Sequence, residues 1–202
     1  MATETLYSFN WIDILLAAVL FRAVYIGINR GIVTELFKVA GVCSAVFIAL
    51  HYFSGVSKLL QEKVHLPQAV ADLFSFVVLW GVVVIIFKFI RDGFGLLFKM
   101  EAAHSILDKW GGFAVAFLRA ALICSLMIIS LRAVSMDYIT KTLEKSLLAV
   151  KVVTLAPNFY EATYNNFVSK FFPTEKLNKD VFRLSDFKTE VKQESKKTQS
   201  QK

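Results

Sequence analysis

The sequence is short of charge: 19% of its 202 residues are Asp, Glu, Lys or Arg, against the roughly 25% of an ordinary soluble domain. It holds two cysteines, Cys43 and Cys124, both inside apolar blocks, which excludes a disulfide framework and favours packing over thiol chemistry. The first ten residues include Glu4 but no Lys or Arg, whereas a cleaved signal peptide needs a basic start and a small-residue cleavage site. The first apolar block is therefore expected to stay as a permanent helix. No Gly-x-Ser-x-Gly, phosphate-binding glycine loop or zinc-ligand spacing occurs. Glu101 and His104 make one Glu-x-x-His with Asp108 a turn further on, but a di-iron bundle needs a second such motif and two more carboxylates. No catalytic residue, cofactor or metal site is expected.

The net charge of +7 would suggest nucleic acid if the basic residues formed one patch beside stacking aromatics. Instead they flank apolar blocks or lie in the C-terminal tail, where anionic headgroups attract them by about 1 kcal/mol each. The expected partners are thus the lipid bilayer and anionic headgroups, with no nucleic acid.

What is abundant is apolar sequence, 56% of the chain, with a mean hydropathy of +0.55. It falls in four blocks, about Trp11 to Ile28, Ile32 to Phe53, Val70 to Ile90 and Gly111 to Leu131, each near the ~20 residues that cross a hydrocarbon core. The fold class predicted is all-α, a polytopic membrane protein of about four transmembrane helices. Asn29 to Gly31 reads as a tight turn, Ser54 to Ala69 as a polar loop, and Arg91 to Trp110 as a glycine-punctuated connection with room for a short surface helix. After Leu131, the spacing of Ile139, Leu143, Leu147 and Val150 predicts a helix lying on the membrane. A second interfacial helix follows Pro157, with Phe159, Tyr160, Tyr164, Phe167 and Phe171 in an aromatic stripe. The domain reading is a leader over 1–10, a transmembrane domain over 11–131, amphipathic interfacial helices over 132–172 and a charged, disordered tail over 173–202. Laying the second block on the fourth pairs Lys38 with Arg119 and Cys43 with Cys124, the hint of a duplicated hairpin.

Three basic residues, Arg22, Lys38 and Arg119, lie inside the blocks, where a central charge costs about 2.5–3.5 kcal/mol on insertion scales. Snorkelling to headgroups is the ordinary reading; lining a polar path is the functional one, and Asp108 or Asp13 are candidate carboxylate partners for the arginines. Glu35, three residues before Lys38, is placed to pair with it on one helical face. Asp13, Glu35, Asp72 and Asp108 sit near helix starts, where a carboxylate caps free amides. His51 and His65 read as ordinary interfacial histidines. Small residues recur every fourth position, Ala23, Gly27 and Gly31 along the first helix and its end, Gly41, Ala45 and Ala49 in the second, Gly112, Ala116, Ala120 and Cys124 in the fourth, a pattern that lets helices approach closely.

Trp11-Ile12-Asp13, then Asn29-Arg30-Gly31-Ile32-Val33-Thr34-Glu35-Leu36, then Asp108-Lys109, Gly112 and Arg119 together resemble the colicin V production protein (CvpA) family over roughly residues 9 to 165. Ala116 and Ala120 stand where that family usually has glycine. The resemblance implies a bacterial inner-membrane protein connected with making or exporting a toxin, and it marks Asp13, Gly27, Arg30, Gly31, Glu35, Asp108, Lys109, Gly112 and Arg119 as motif and packing residues. The expected function is non-enzymatic: support of secretion or membrane homeostasis through contacts with a second copy, as a homo-oligomer, or with another membrane protein. The alternative is an oligomeric small-solute channel lined by Arg22, Lys38 and Arg119.

Overall fold

The computed structural model describes residues 10–30, 32–98, 106–134 and 137–185, and all regular elements among them are helical. Four long helices come first: α1 (Trp11–Arg30), α2 (Ile32–Val64), α3 (Gln68–Phe98) and α4 (Ile106–Ala133). Each is long and apolar enough to cross a membrane. A continuous helix is what such a segment requires, because it satisfies every backbone N–H and C=O internally where no water can.

The helices outrun the apolar blocks. With 33 residues, α2 is about 50 Å long at 1.5 Å per residue, well beyond a ~30 Å hydrocarbon core. The stretch from Ser54 to Ala69, expected as a polar loop, is therefore mostly helix. Its Lys58, Glu62 and Lys63 mark where the chain leaves the apolar zone, not where the helix stops. The helix ends at His65, which takes a left-handed φ of 55° while its N–H reaches the Gln61 carbonyl at 3.1 Å, a helix-terminating geometry. Pro67 then opens α3, its carbonyl accepting from the N–H groups of Val70 and Ala71 at 3.0 Å each. Likewise, α3 continues through Gly93 and Gly95 to Phe98, so the expected glycine punctuation does not break it. Glu101 and His104 lie outside the described residues.

In the bundle, α2 and α4 run side by side at the centre, α1 packs along α4, and α3 packs along α2. Helices α1 and α3 scarcely meet, which leaves a cleft between them floored by α2 and α4. Where α1 meets α4 the backbones touch: a Cβ added to Gly27 would lie 2.2 Å from the Ala116 Cβ and 2.8 Å from the Gly112 carbonyl oxygen. Where α3 meets α2, a Cβ on Gly41 would lie 2.9 Å from that of Phe87. The largest apolar packing is towards the other end of the bundle, where Phe53 stacks on Phe76 with ring centroids 4.3 Å apart and Leu16, Leu50, Ile128 and Ile129 are buried.

Beyond α4 the chain breaks into shorter pieces than the two helices expected: α5 (Asp137–Lys145), α6 (Leu147–Val152), α7 (Leu155–Thr163), a π-helical turn over Tyr164–Val168, then α8 (Ser169–Phe171). Ser146 causes the first break by capping α6, its side chain accepting from the Ala149 N–H at 3.0 Å. The break shifts the helical register. Leu147 turns out to solvent or lipid, and Ala149 and Val153 are buried in its place. The tail also departs from expectation. Residues Asp180–Ser185 form a further helix, α9, whose Val181 is fully buried and whose Leu184, with Leu177 just before it, packs against the core. The disorder expected from 173 onward therefore does not hold for 174–185, because three apolar residues at helical spacing found a surface to cover.

Candidate functional site

Two groups of polar residues gather at opposite ends of the bundle. At the end where α1 finishes and α2 starts, Glu35 is fully buried in the first turn of its helix. It forms an ion pair with Lys38, three residues on, and its Oε2 lies 3.1 Å from Nη2 of Arg119. Arg119 starts from about three turns below the level of Asp108 on α4, and its side chain leans back toward its helix start as helical side chains do. The partner of Arg119 is thus Glu35 and not Asp108 or Asp13. Asp108 instead accepts the Ile32 N–H at 2.8 Å, closing the start of α2 from a different helix. Lys38 and Arg119, equivalent in the overlay of the second and fourth blocks, converge on one carboxylate.

The same end holds a cavity of about 320 Å³ in the cleft between α1 and α3. Five cations line it, Arg30, Lys38, Lys88, Arg91 and Arg119, together with an apolar wall that includes Trp80, Val84 and Phe87 of α3 and Ile123 of α4. Arg91 is held by Asp92, with Nε and Nη2 at 2.9 and 2.6 Å from one carboxylate oxygen. Arg30 lies near enough to Lys38 and Arg119 for the charges to repel. Two buried donors on the lining, Nε1 of Trp80 and Nε of Arg119, have no acceptor among the described residues. A buried donor left so costs about 1–3 kcal/mol.

At the opposite end, Asp13 is fully buried and caps two helices at once. Its Oδ2 accepts the Asn10 N–H at 3.0 Å, while Oδ1 accepts from the Ser146 hydroxyl at 2.6 Å and the Leu148 N–H at 2.9 Å. The local cap follows from sequence spacing; the tie to α6 joins residues too far apart in the chain to be read from it. His51 departs further from expectation. It is buried, not interfacial, stacks on Phe47 with centroids 5.4 Å apart, and has Tyr160 Oη at 2.9 Å from Nδ1 and Glu175 Oε2 at 3.2 Å from Nε2. Tyr160 Oη also accepts the Asn178 N–H at 3.0 Å, so the phenol joins His51 to the tail segment. Burial raises the Tyr160 phenol pKa. The Asn178 side chain also donates to the Leu50 carbonyl at 2.9 Å, so the tail segment is fastened to α2. A second cavity at this end, about 510 Å³, has both signs of charge on its lining, with Lys58, Arg132 and Arg183 against Asp72 and Asp180.

The remaining motif residues fall as follows. Gly27 and Gly112 form the α1–α4 contact, Lys109 and Arg30 are exposed, and Gly31 lies outside the described residues. Arg22, grouped by sequence with Lys38 and Arg119, is not with them: it is exposed on the outer face of α1.

Four apolar helices long enough to span a bilayer, with buried carboxylates spent on caps and ion pairs, define an all-α membrane protein. The family model for the colicin V production protein matches residues 12–157, and the chain belongs to that family. Neither a curated protein nor a solved structure matches it.

Proposed function

We propose that this chain is a non-enzymatic, multi-pass protein of the bacterial inner membrane that serves toxin production or export, or membrane homeostasis, by binding a second copy or another membrane protein through its helices. Arg22 carries the reading. It sits on the outer face of α1, between the strongly exposed Phe21 and Tyr25, at 77% and 65%, and has no ion pair among the described residues. It is eight residues from the nearer end of α1, about 12 Å, and its Cβ leans toward the farther end. Snorkelling is therefore poorly served, and a charge left in lipid at that depth costs about 2.5–3.5 kcal/mol. A polar group on a neighbouring helix removes that cost. The non-enzymatic reading draws on the polar residues: Asp13 and Asp108 cap helices, and Glu35 sits between two cations.

A photo-crosslinking residue at Ala18 or Tyr25 tests this in native membranes. The expected result is one discrete adduct, either the dimer or a single partner, that is lost in Arg22→Leu and kept in Arg22→Lys. Lipid adducts alone, unchanged by Arg22→Leu, would contradict it. In the oligomeric-channel alternative, Lys38 and Arg119 share a cavity and Arg119 is paired with Glu35, while Arg22, on the outer face of α1, would join the path only between copies.

A further inference from the structure

We infer that the cleft between α1 and α3 is a binding site for an anionic phospholipid, its phosphate held by Arg30 and Lys88 at the mouth and the start of its acyl chains laid against Trp80, Val84 and Phe87. The cavity has two chemical halves, one cationic and one apolar, and an ion alone would need only the first. Its volume, about 320 Å³, fits a phosphate headgroup with the first few chain carbons, the remaining chain lying in the bilayer.

Access runs sideways. Because α1 and α3 scarcely meet, the cleft opens toward the membrane. Its depth is also appropriate, since Arg30 closes α1 and Lys88 and Arg91 fall in the last turns of the third candidate span, the level at which phosphates lie.

The charges call for an anion. Glu35 and Asp92 answer Lys38, Arg119 and Arg91, while Arg30 and Lys88 have no partner among the described residues. Nε of Arg119 is a buried donor on the lining without an acceptor. Basic pockets between transmembrane helices bind acidic headgroups by this chemistry, and a guanidinium donates two bonds to one phosphate.

Trp80 supplies the probe. With Trp11 and Trp110 changed to phenylalanine it is the remaining tryptophan, and the full chain in neutral detergent is titrated with phosphatidylglycerol, with phosphatidylcholine of the same chain length, and with inorganic phosphate. Phosphatidylglycerol is expected to shift Trp80 emission saturably, with little response to the other two. Arg30→Gln with Lys88→Gln is expected to weaken that response at least about tenfold at an unchanged thermal unfolding midpoint, both side chains being exposed and outside the Glu35 ion pairs. Lys58→Gln, on the far cavity, is expected to leave it as it was. An equal response to phosphatidylcholine, no response to any of the three, or full affinity in the Arg30→Gln/Lys88→Gln chain would overturn the site. A response to inorganic phosphate matching that to phosphatidylglycerol would overturn the lipid as its source and leave a free-anion site.

Discussion

Glu35 shows what one residue does in this protein. Lys38 and Arg119 are cations in apolar blocks, and each is tolerable there because one buried carboxylate meets both. Such a group adds little net stability while whole, since the desolvation of each charge offsets the attraction, but removing one partner leaves the others uncompensated at about 3–5 kcal/mol. Glu35→Gln is therefore expected to lower the unfolding midpoint and the amount of folded protein sharply. Adding Arg119→Gln to it should recover part of the loss, a coupling that a double-mutant cycle measures; additive losses would show that the two side chains do not interact. The Glu35–Lys38 half was legible in the sequence because three residues on a helix are neighbours. Arg119 was legible as a cation inside an apolar block, with snorkelling its ordinary reading and Asp108 or Asp13 its candidate partners, but its partner is Glu35 on another helix, and spacing carries no information across helices. His51 misled for a related reason. Its place near the end of an apolar block suggested an interface, whereas Tyr160, Glu175 and Asn178 arrive from the far end of the chain to enclose it.

At the scale of elements, the existence of the four long helices was legible and their extent was not. Hydropathy marks the part of a helix that lies in lipid, so α2 and α3 were read about as long as the hydrocarbon core, while the helices run on through polar sequence until His65 and Phe98. The tail was under-read as well: Leu177, Val181 and Leu184 are too few to predict a packed segment, and they form one only because α4 and α7 offer a surface. The small-residue stripes bear on how α1 and α4 approach. Gly27→Ala puts a methyl group where the Ala116 Cβ and the Gly112 carbonyl already are, and forcing the helices apart is expected to cost about 1–3 kcal/mol. Gly81→Ala, in α3, meets nothing within 4 Å and is expected to be neutral or to stabilise by up to about 1 kcal/mol through helix propensity. Thermal unfolding of the two variants in the same detergent checks the contrast, and equal midpoints would mean the α1–α4 seam is not a close contact.

The whole molecule is an open arc of four helices, with its basic cleft at one end and the α5–α9 assembly fastened across the other. That arrangement fixes which residues share a side. The end of α1, the start of α2 and the start of α4 belong to the cleft end, while the α2–α3 junction, the end of α4 and the described residues after it belong to the opposite end. Basic residues occur at both ends, Arg30, Lys88 and Arg91 at one and Lys58, Lys63 and Lys151 at the other, so the positive-inside rule gives no orientation. The arrangement predicts sidedness without needing it. The direct measurement is labelling of single cysteines by a membrane-impermeant thiol reagent in sealed right-side-out and inverted vesicles, in a chain whose Cys43 and Cys124 are replaced by alanine. Asn29→Cys and Lys109→Cys, at exposed positions of the cleft end, are predicted to label from one face, and His65→Cys and Lys151→Cys, exposed at the other end, from the opposite face only. Labelling of Asn29→Cys and His65→Cys from the same face would mean that α2 does not cross the membrane, and would contradict the account.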